Sequence, residues 1–208
     1  MDLGKVLARK VVPAATIEKP ELAVPLARAL LEGGLNVIEV TFRTAAAAAI
    51  RAITARFPEM AVGAGTVLTV DQVAQAADAG ATFLVAPGLN EHVVAAARQR
   101  GLPMIPGVMT PSEVDRALEL GCKVLKFFPA DAAGGIKMLK SLAGPYGHTG
   151  VKFLPTGGID ARNMRDYLAL PMVAGVGGSW MVEKTLVATQ NWTKIEALTR
   201  EALVQALA

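Results

Sequence analysis

Apolar positions along the chain follow two alternating rhythms. Short runs with both faces apolar, at residues 11–17, 36–42, 61–67, 82–87, 103–108, 123–129, 152–157 and 172–177, read as strands covered on both sides. Between them lie alanine-rich runs with helical spacing. The strand starts recur about every 20 to 30 residues, the period of a strand-plus-helix unit. Helix ends are marked too: Pro20-Glu21 opens a run that Gly33-Gly34 closes, and Asp71 starts another that stops at Gly80. Thr110-Pro111-Ser112-Glu113 combines an N-cap, a first-turn proline and early negative charge, and Gly121 ends that helix. Pro171 closes the seventh helix, and a charged tail helix is expected over 191–208.

Eight such units predict an α/β fold, a single (β/α)8 TIM barrel over residues 1–208 with a short amphipathic N-terminal helix at 3–9. An open doubly wound sheet is the competing architecture. It calls for edge strands and a glycine-rich turn after the first strand, yet residues 11–19 contain no glycine.

Composition narrows the function classes. Hydrophobic residues make up 52% of the 208 and mean hydropathy is +0.40, which requires a large core and excludes disorder. A net charge of +3 with no long basic run argues against a nucleic-acid partner and suits a small anion. Cys122 is the only cysteine, so no intramolecular disulfide forms, and a reducing, cytoplasmic location is expected. His92 and His148 are too few and too far apart for a zinc site. No apolar run reaches membrane-spanning length and residues 1–10 lack a signal-peptide pattern, so no membrane association is expected.

Polar residues inside the strand runs carry the chemistry, because a barrel works at the C-terminal ends of its strands. Lys126 stands in the apolar run Lys123-Val-Leu-Lys-Phe-Phe-Pro-Ala130. Desolvation disfavours an ammonium ion, and a neutral amine attacks carbonyls to give a Schiff base. Read from that strand alone, Lys126 can equally snorkel or pair with a buried carboxylate. Lys123 and Lys152 begin their strands and point to the opposite end. In the second strand Glu39, Thr41 and Arg43 share a face. They form either a structural ion pair or a working set, with Arg43 gripping a carboxylate and Glu39 acting as general acid and base. Thr66 follows two glycines at the third strand end, and Pro87 belongs to a small rigid rim. Glycine pairs at 157–158 and 177–178 end the seventh and eighth strands, where barrels bind phosphate.

Five motifs together resemble one family. Ile38-Glu-Val-Thr-Phe-Arg-Thr44, Gly63-Ala-Gly-Thr-Val-Leu68, Lys126-Phe-Phe-Pro-Ala130, Pro155-Thr-Gly-Gly-Ile159 and Gly177-Gly-Ser-Trp180 are similar, in order and spacing, to the 2-keto-3-deoxy-6-phosphogluconate (KDPG) aldolase and 4-hydroxy-2-oxoglutarate (KHG) aldolase family. Asp131 stands where that family often has Glu. The resemblance implies a class I aldolase without cofactor or metal, a homotrimer, cleaving KDPG to pyruvate and glyceraldehyde 3-phosphate in the Entner-Doudoroff pathway. It makes Lys126 the Schiff-base lysine and Glu39 the proton shuttle. Arg43 and Thr66 hold the pyruvate carboxylate, and Pro87 and Phe128 line the pocket. Thr156 lies by the reacting carbons, with Gly157, Gly158, Gly178 and Ser179 around the phosphate. Two other readings stay open: a phosphate-binding barrel such as an isomerase that uses Glu39 as base without a covalent step, and a non-catalytic phosphosugar-binding oligomer.

Overall fold

Parallel strands buried on both faces need helices outside and side chains between, and the chain alternates the two elements accordingly. The computed structural model describes residues 3–43 and 45–207; the motif residue Thr44 and residues 1, 2 and 208 lie outside that set. Helix α1 (Leu3–Leu7) precedes β1 (Val11–Ala15), and a 3-10 turn at Pro20–Leu22 leads into α2 (Ala23–Glu32). Next come β2 (Val37–Thr41), α3 (Ala46–Arg56), β3 (Ala61–Gly65), α4 (Val70–Asp78), β4 (Phe83–Val85) and α5 (Glu91–Gln99). The second half runs β5 (Met104–Ile105), β6 (Gly107–Val108), α6 (Pro111–Glu119), β7 (Val124–Phe127) and α7 (Gly135–Tyr146). It finishes with β8 (Lys152–Pro155), α8 (Met164–Leu168), β9 (Val176–Gly178), α9 (Lys184–Ala188) and α10 (Trp192–Leu207).

Every strand pairing among these is parallel, giving an α/β fold with a curled parallel sheet. Six strands order as β5-β4-β3-β2-β1-β9 and three as β6-β7-β8. Isolated parallel bridges, Phe153 with Val173 and Thr156 with Gly177, run from β8 and the residue after it to β9 and the segment before it.

Prolines explain where the ladders stop. The run expected at 103–108 is divided at Pro106, which has no N–H to donate; its carbonyl accepts the Lys126 N–H at 2.8 Å. Pro13 sits one residue before the β1–β2 pairing starts at Ala14 and Glu39. The last strand also starts later than the expected 172–177. Val173 N–H turns back onto the Leu170 carbonyl at 2.9 Å, so the ladder with β1 begins only at Val176.

Caps and close approaches set the frame. Thr69 with Gln72, and Thr110 with Glu113, form reciprocal capping boxes at the starts of α4 and α6. A Cβ on Gly63 would meet the Phe83 ring at 2.2 Å, and one on Gly33 would meet Thr199 of α10 at 2.7 Å. Both glycines therefore let bulky neighbours close in. Among the described residues no helix is long and apolar enough to cross a membrane.

Candidate active site

Period-2 alternation on β2 puts Glu39 and Thr41 on the inner face, and Arg43 continues that direction into the loop. Glu39 is 1% exposed, and its Oε1 lies 3.5 Å from Nζ of Lys126, itself 5% exposed on β7. The pair thus joins the two sheets. At that separation the contact is electrostatic rather than a well-formed hydrogen bond. Among the described residues neither Glu39 carboxylate oxygen has a hydrogen-bond partner. A buried carboxylate left in this state costs free energy, and in a folded protein such a group is a candidate for chemistry.

Glycine makes room for that carboxylate. A Cβ on Gly65 would fall 2.0 Å from Glu39 Oε1. Lys126 Nζ also lies 5.2 Å from the centre of the Phe128 ring, a cation–π distance. Thr16 and Thr41 share a hydroxyl–hydroxyl hydrogen bond of 2.9 Å at the β1–β2 rim. Arg43 is exposed and pairs with no carboxylate among the described residues, so the structural ion pair with Glu39 does not form. Thr66 holds φ at +58°, an uncommon conformation for a β-branched side chain. The Thr156 hydroxyl donates to the Leu154 carbonyl at 3.3 Å, and a Cβ on Gly177 would meet Thr156 Oγ1 at 2.3 Å. Lys152 is turned elsewhere, its ammonium donating to the Pro171 carbonyl at 2.8 Å.

One cavity of about 320 Å³ collects these groups. Its walls are Glu39, Arg43, Thr66, Pro87, Lys126, Phe128, Thr156, Gly157, Gly158, Gly178 and Ser179, together with Ala14, Thr16, Thr41 and Ile159. Two cations against one carboxylate leave the cavity with an excess of positive charge, which suits an anion. Thr16 and Ala14 were not singled out from the sequence. The available signal was their period-2 spacing along the first strand towards its C-terminal end. An adjoining groove of about 350 Å³ shares Thr16, but its charged walls Glu18, Lys19, Glu21 and Lys184 are exposed.

Beside the cavity, hydrogen bonds from the Arg162 side chain hold the Asp160 carboxyl below its usual range. Burial, then the nearby Asp131 charge, raises the Tyr167 phenol.

A family model described as an aldolase, KDPG and KHG aldolase, matches residues 4–198. The chain belongs to the KDPG and KHG aldolase family. This aldolase is 49% identical over 195 residues to 2-dehydro-3-deoxy-phosphogluconate aldolase of Treponema pallidum, covering 93% of this chain and 92% of the relative. Over 194 residues it is 48% identical to KHG/KDPG aldolase of Escherichia coli K12, covering 93% and 90%. Its fold superposes with a TM-score of 0.93 on KDPG aldolase from Legionella pneumophila, at 43% identity and with 97% and 98% coverage. That crystal structure holds pyruvate captured at low pH as a covalent carbinolamine intermediate.

Proposed function

We propose that this aldolase is a class I, Schiff-base enzyme that cleaves KDPG to pyruvate and D-glyceraldehyde 3-phosphate, the aldol step of the Entner-Doudoroff pathway. It also splits KHG to pyruvate and glyoxylate. The observation that carries the reading is the buried pair of Lys126 and Glu39, an amine 3.5 Å from a carboxylate whose oxygens accept no hydrogen bond among the described residues.

The chemistry follows from these two groups. The Lys126 amine adds to the C2 carbonyl to give a carbinolamine, and Glu39 moves the protons needed to lose water and leave a protonated imine. Glu39 then takes the C4 hydroxyl proton. The C4–O bond becomes the aldehyde, the C3–C4 bond breaks, and its electron pair enters the enamine. After the aldehyde departs, Glu39 returns the proton to C3, and water hydrolyses the imine to pyruvate and the free amine. Arg43, with Thr66, grips the pyruvate carboxylate, and Pro87 and Phe128 flank the imine. Thr156 lies by the reacting carbons, and Gly157, Gly158, Gly178 and Ser179 surround the phosphate.

At the level of the whole chain, the reading is one (β/α)8 barrel domain over 1–208. Its support is that β5 and β6 are halves of one strand broken at Pro106, and that bridges link the β8 side to the β9 side. The family resemblance supports a homotrimer, which sedimentation of the purified protein tests. The single cysteine supports the cytoplasm as its location.

Borohydride added with pyruvate tests the covalent step. The expected product is one reduced pyruvate adduct per chain on Lys126, found by peptide mass spectrometry and absent from Lys126→Ala. No adduct, or an adduct on another lysine, would falsify the Schiff-base mechanism and return the isomerase-like reading.

A further inference from the structure

Gly157 and Gly158 turn the chain after β8 with φ of +96° and +77°. Consecutive glycines in the left-handed region lose much conformational freedom on ordering, so the turn needs outside support. Gly157 is fastened from the β7 side, where Asp131 N–H donates to its carbonyl at 3.0 Å. Gly158 is held from the other side by one side chain. Asn163 Nδ2 donates to the Gly158 carbonyl at 2.8 Å, and Asn163 Oδ1 accepts the Asp160 N–H at 3.0 Å.

Chemistry fixes the carboxamide orientation, since only its NH2 can meet a carbonyl and only its oxygen can meet an N–H. The side chain therefore bridges both ends of the segment from Gly158 to Asp160. Asn163 is itself anchored: its N–H donates to the Asp160 carbonyl at 3.3 Å, its carbonyl accepts from Asp166 at 3.1 Å, and the next residue, Met164, is fully buried. It does not line the cavity, whereas Gly158 and Ile159 do. The Gly158 carbonyl that it holds shares a planar peptide with the Ile159 N–H, and among the described residues that N–H donates to no backbone carbonyl. A backbone amide at a cavity wall, aimed by a neighbour and not otherwise used, is an anion donor.

We propose that Asn163 is a positioning residue for phosphate recognition, holding the Gly158–Ile159 peptide so that its N–H meets the substrate phosphate while Asn163 itself touches no substrate. This rests on the phosphate reading of the glycine turn given above. Both KDPG and KHG reach the same lysine, but only KDPG carries a phosphate, so the second substrate is an internal control.

The test is steady-state kinetics of the full-length protein, its Asn163→Ala variant and its Asn163→Asp variant. The alanine removes both hydrogen bonds. The aspartate keeps an acceptor for Asp160 but turns a carboxylate oxygen towards the Gly158 carbonyl. In both variants the KM for KDPG and the inhibition constant of inorganic phosphate should rise about tenfold, with kcat/KM for KHG within about twofold of wild type. Equal losses on both substrates would make Asn163 a general structural residue and overturn the proposal, as would an unchanged KM for KDPG in both variants. The phosphate reading beneath it is judged on wild type alone. Inorganic phosphate that fails to compete with KDPG there would overturn that reading and the proposal with it.

Discussion

The two side chains to which the proposed mechanism gives the chemistry make few ordinary hydrogen bonds. Glu39 is buried with neither oxygen hydrogen-bonded among the described residues, and Lys126 stands 3.5 Å away. Glu39→Gln keeps the volume and removes the proton acceptor. We expect kcat for KDPG cleavage to fall by about 10² to 10⁴, with borohydride still trapping some pyruvate on Lys126; near-normal turnover would remove Glu39 from the mechanism. Most of the cavity wall was legible in the sequence, Lys126, Glu39 and the glycine pairs as polar or flexible positions in or ending apolar strand runs, and Phe128, Thr156 and Ser179 only through the family resemblance. Thr16 and Ala14 were not, since small residues in a strand look the same whether they face a cavity or fill a core. The Glu39–Arg43 ion pair weighed from the strand pattern fails for a related reason. Alternation gives the face of a strand but not which neighbour across the sheet reaches it, and Lys126 from β7 takes that place.

At the level of elements, caps and glycines carry the weight. In the α6 capping box the Thr110 hydroxyl accepts the Glu113 N–H, and Glu113 receives the N–H groups of Met109 and Thr110, each at 2.8 Å. Burial alone would raise the Glu113 carboxyl, but these bonds and the Thr110 hydroxyl bring it below its usual range. A carboxyl lowered in the folded state stabilises above its unfolded value, and that contribution is lost as pH falls through the folded one. Thr110→Ala should therefore cost about 1 kcal/mol near neutral pH, a Tm loss of about 2 to 4 °C. The gap to wild type should narrow in thermal melts below about pH 4; a gap that widens in acid would contradict this account. A different element-scale test is Gly65→Ala, whose Cβ would overlap Glu39 Oε1 at 2.0 Å. It should lower kcat by displacing the carboxylate, and full activity in that variant would show that Glu39 has room to move. The order of strands and helices was readable because periodicity and capping residues are local signals. The late start of β9 was not, because it depends on Val173 N–H finding the Leu170 carbonyl rather than a neighbouring strand, whereas the break at Pro106 has a local cause in its missing N–H.

Across the whole molecule, the cavity couples binding to stability. Its wall draws on β1, β2, β7 and β9 and on the turns after β3, β4 and β8, so a ligand that seats there ties both sheets together. Pyruvate, a carboxylate plus a carbonyl, engages Arg43 and Lys126 in the proposed mechanism. A ligand at 100 times its dissociation constant stabilises the folded state by about 2.7 kcal/mol. For a chain of this size that corresponds to a Tm rise of about 5 to 10 °C. We expect that rise for wild type, measured by calorimetry at saturating pyruvate, and a much smaller one for Lys126→Ala, which keeps the carboxylate clamp but cannot form the imine. Equal shifts in the two proteins would mean that pyruvate gains nothing from the lysine and would detach binding from covalent capture.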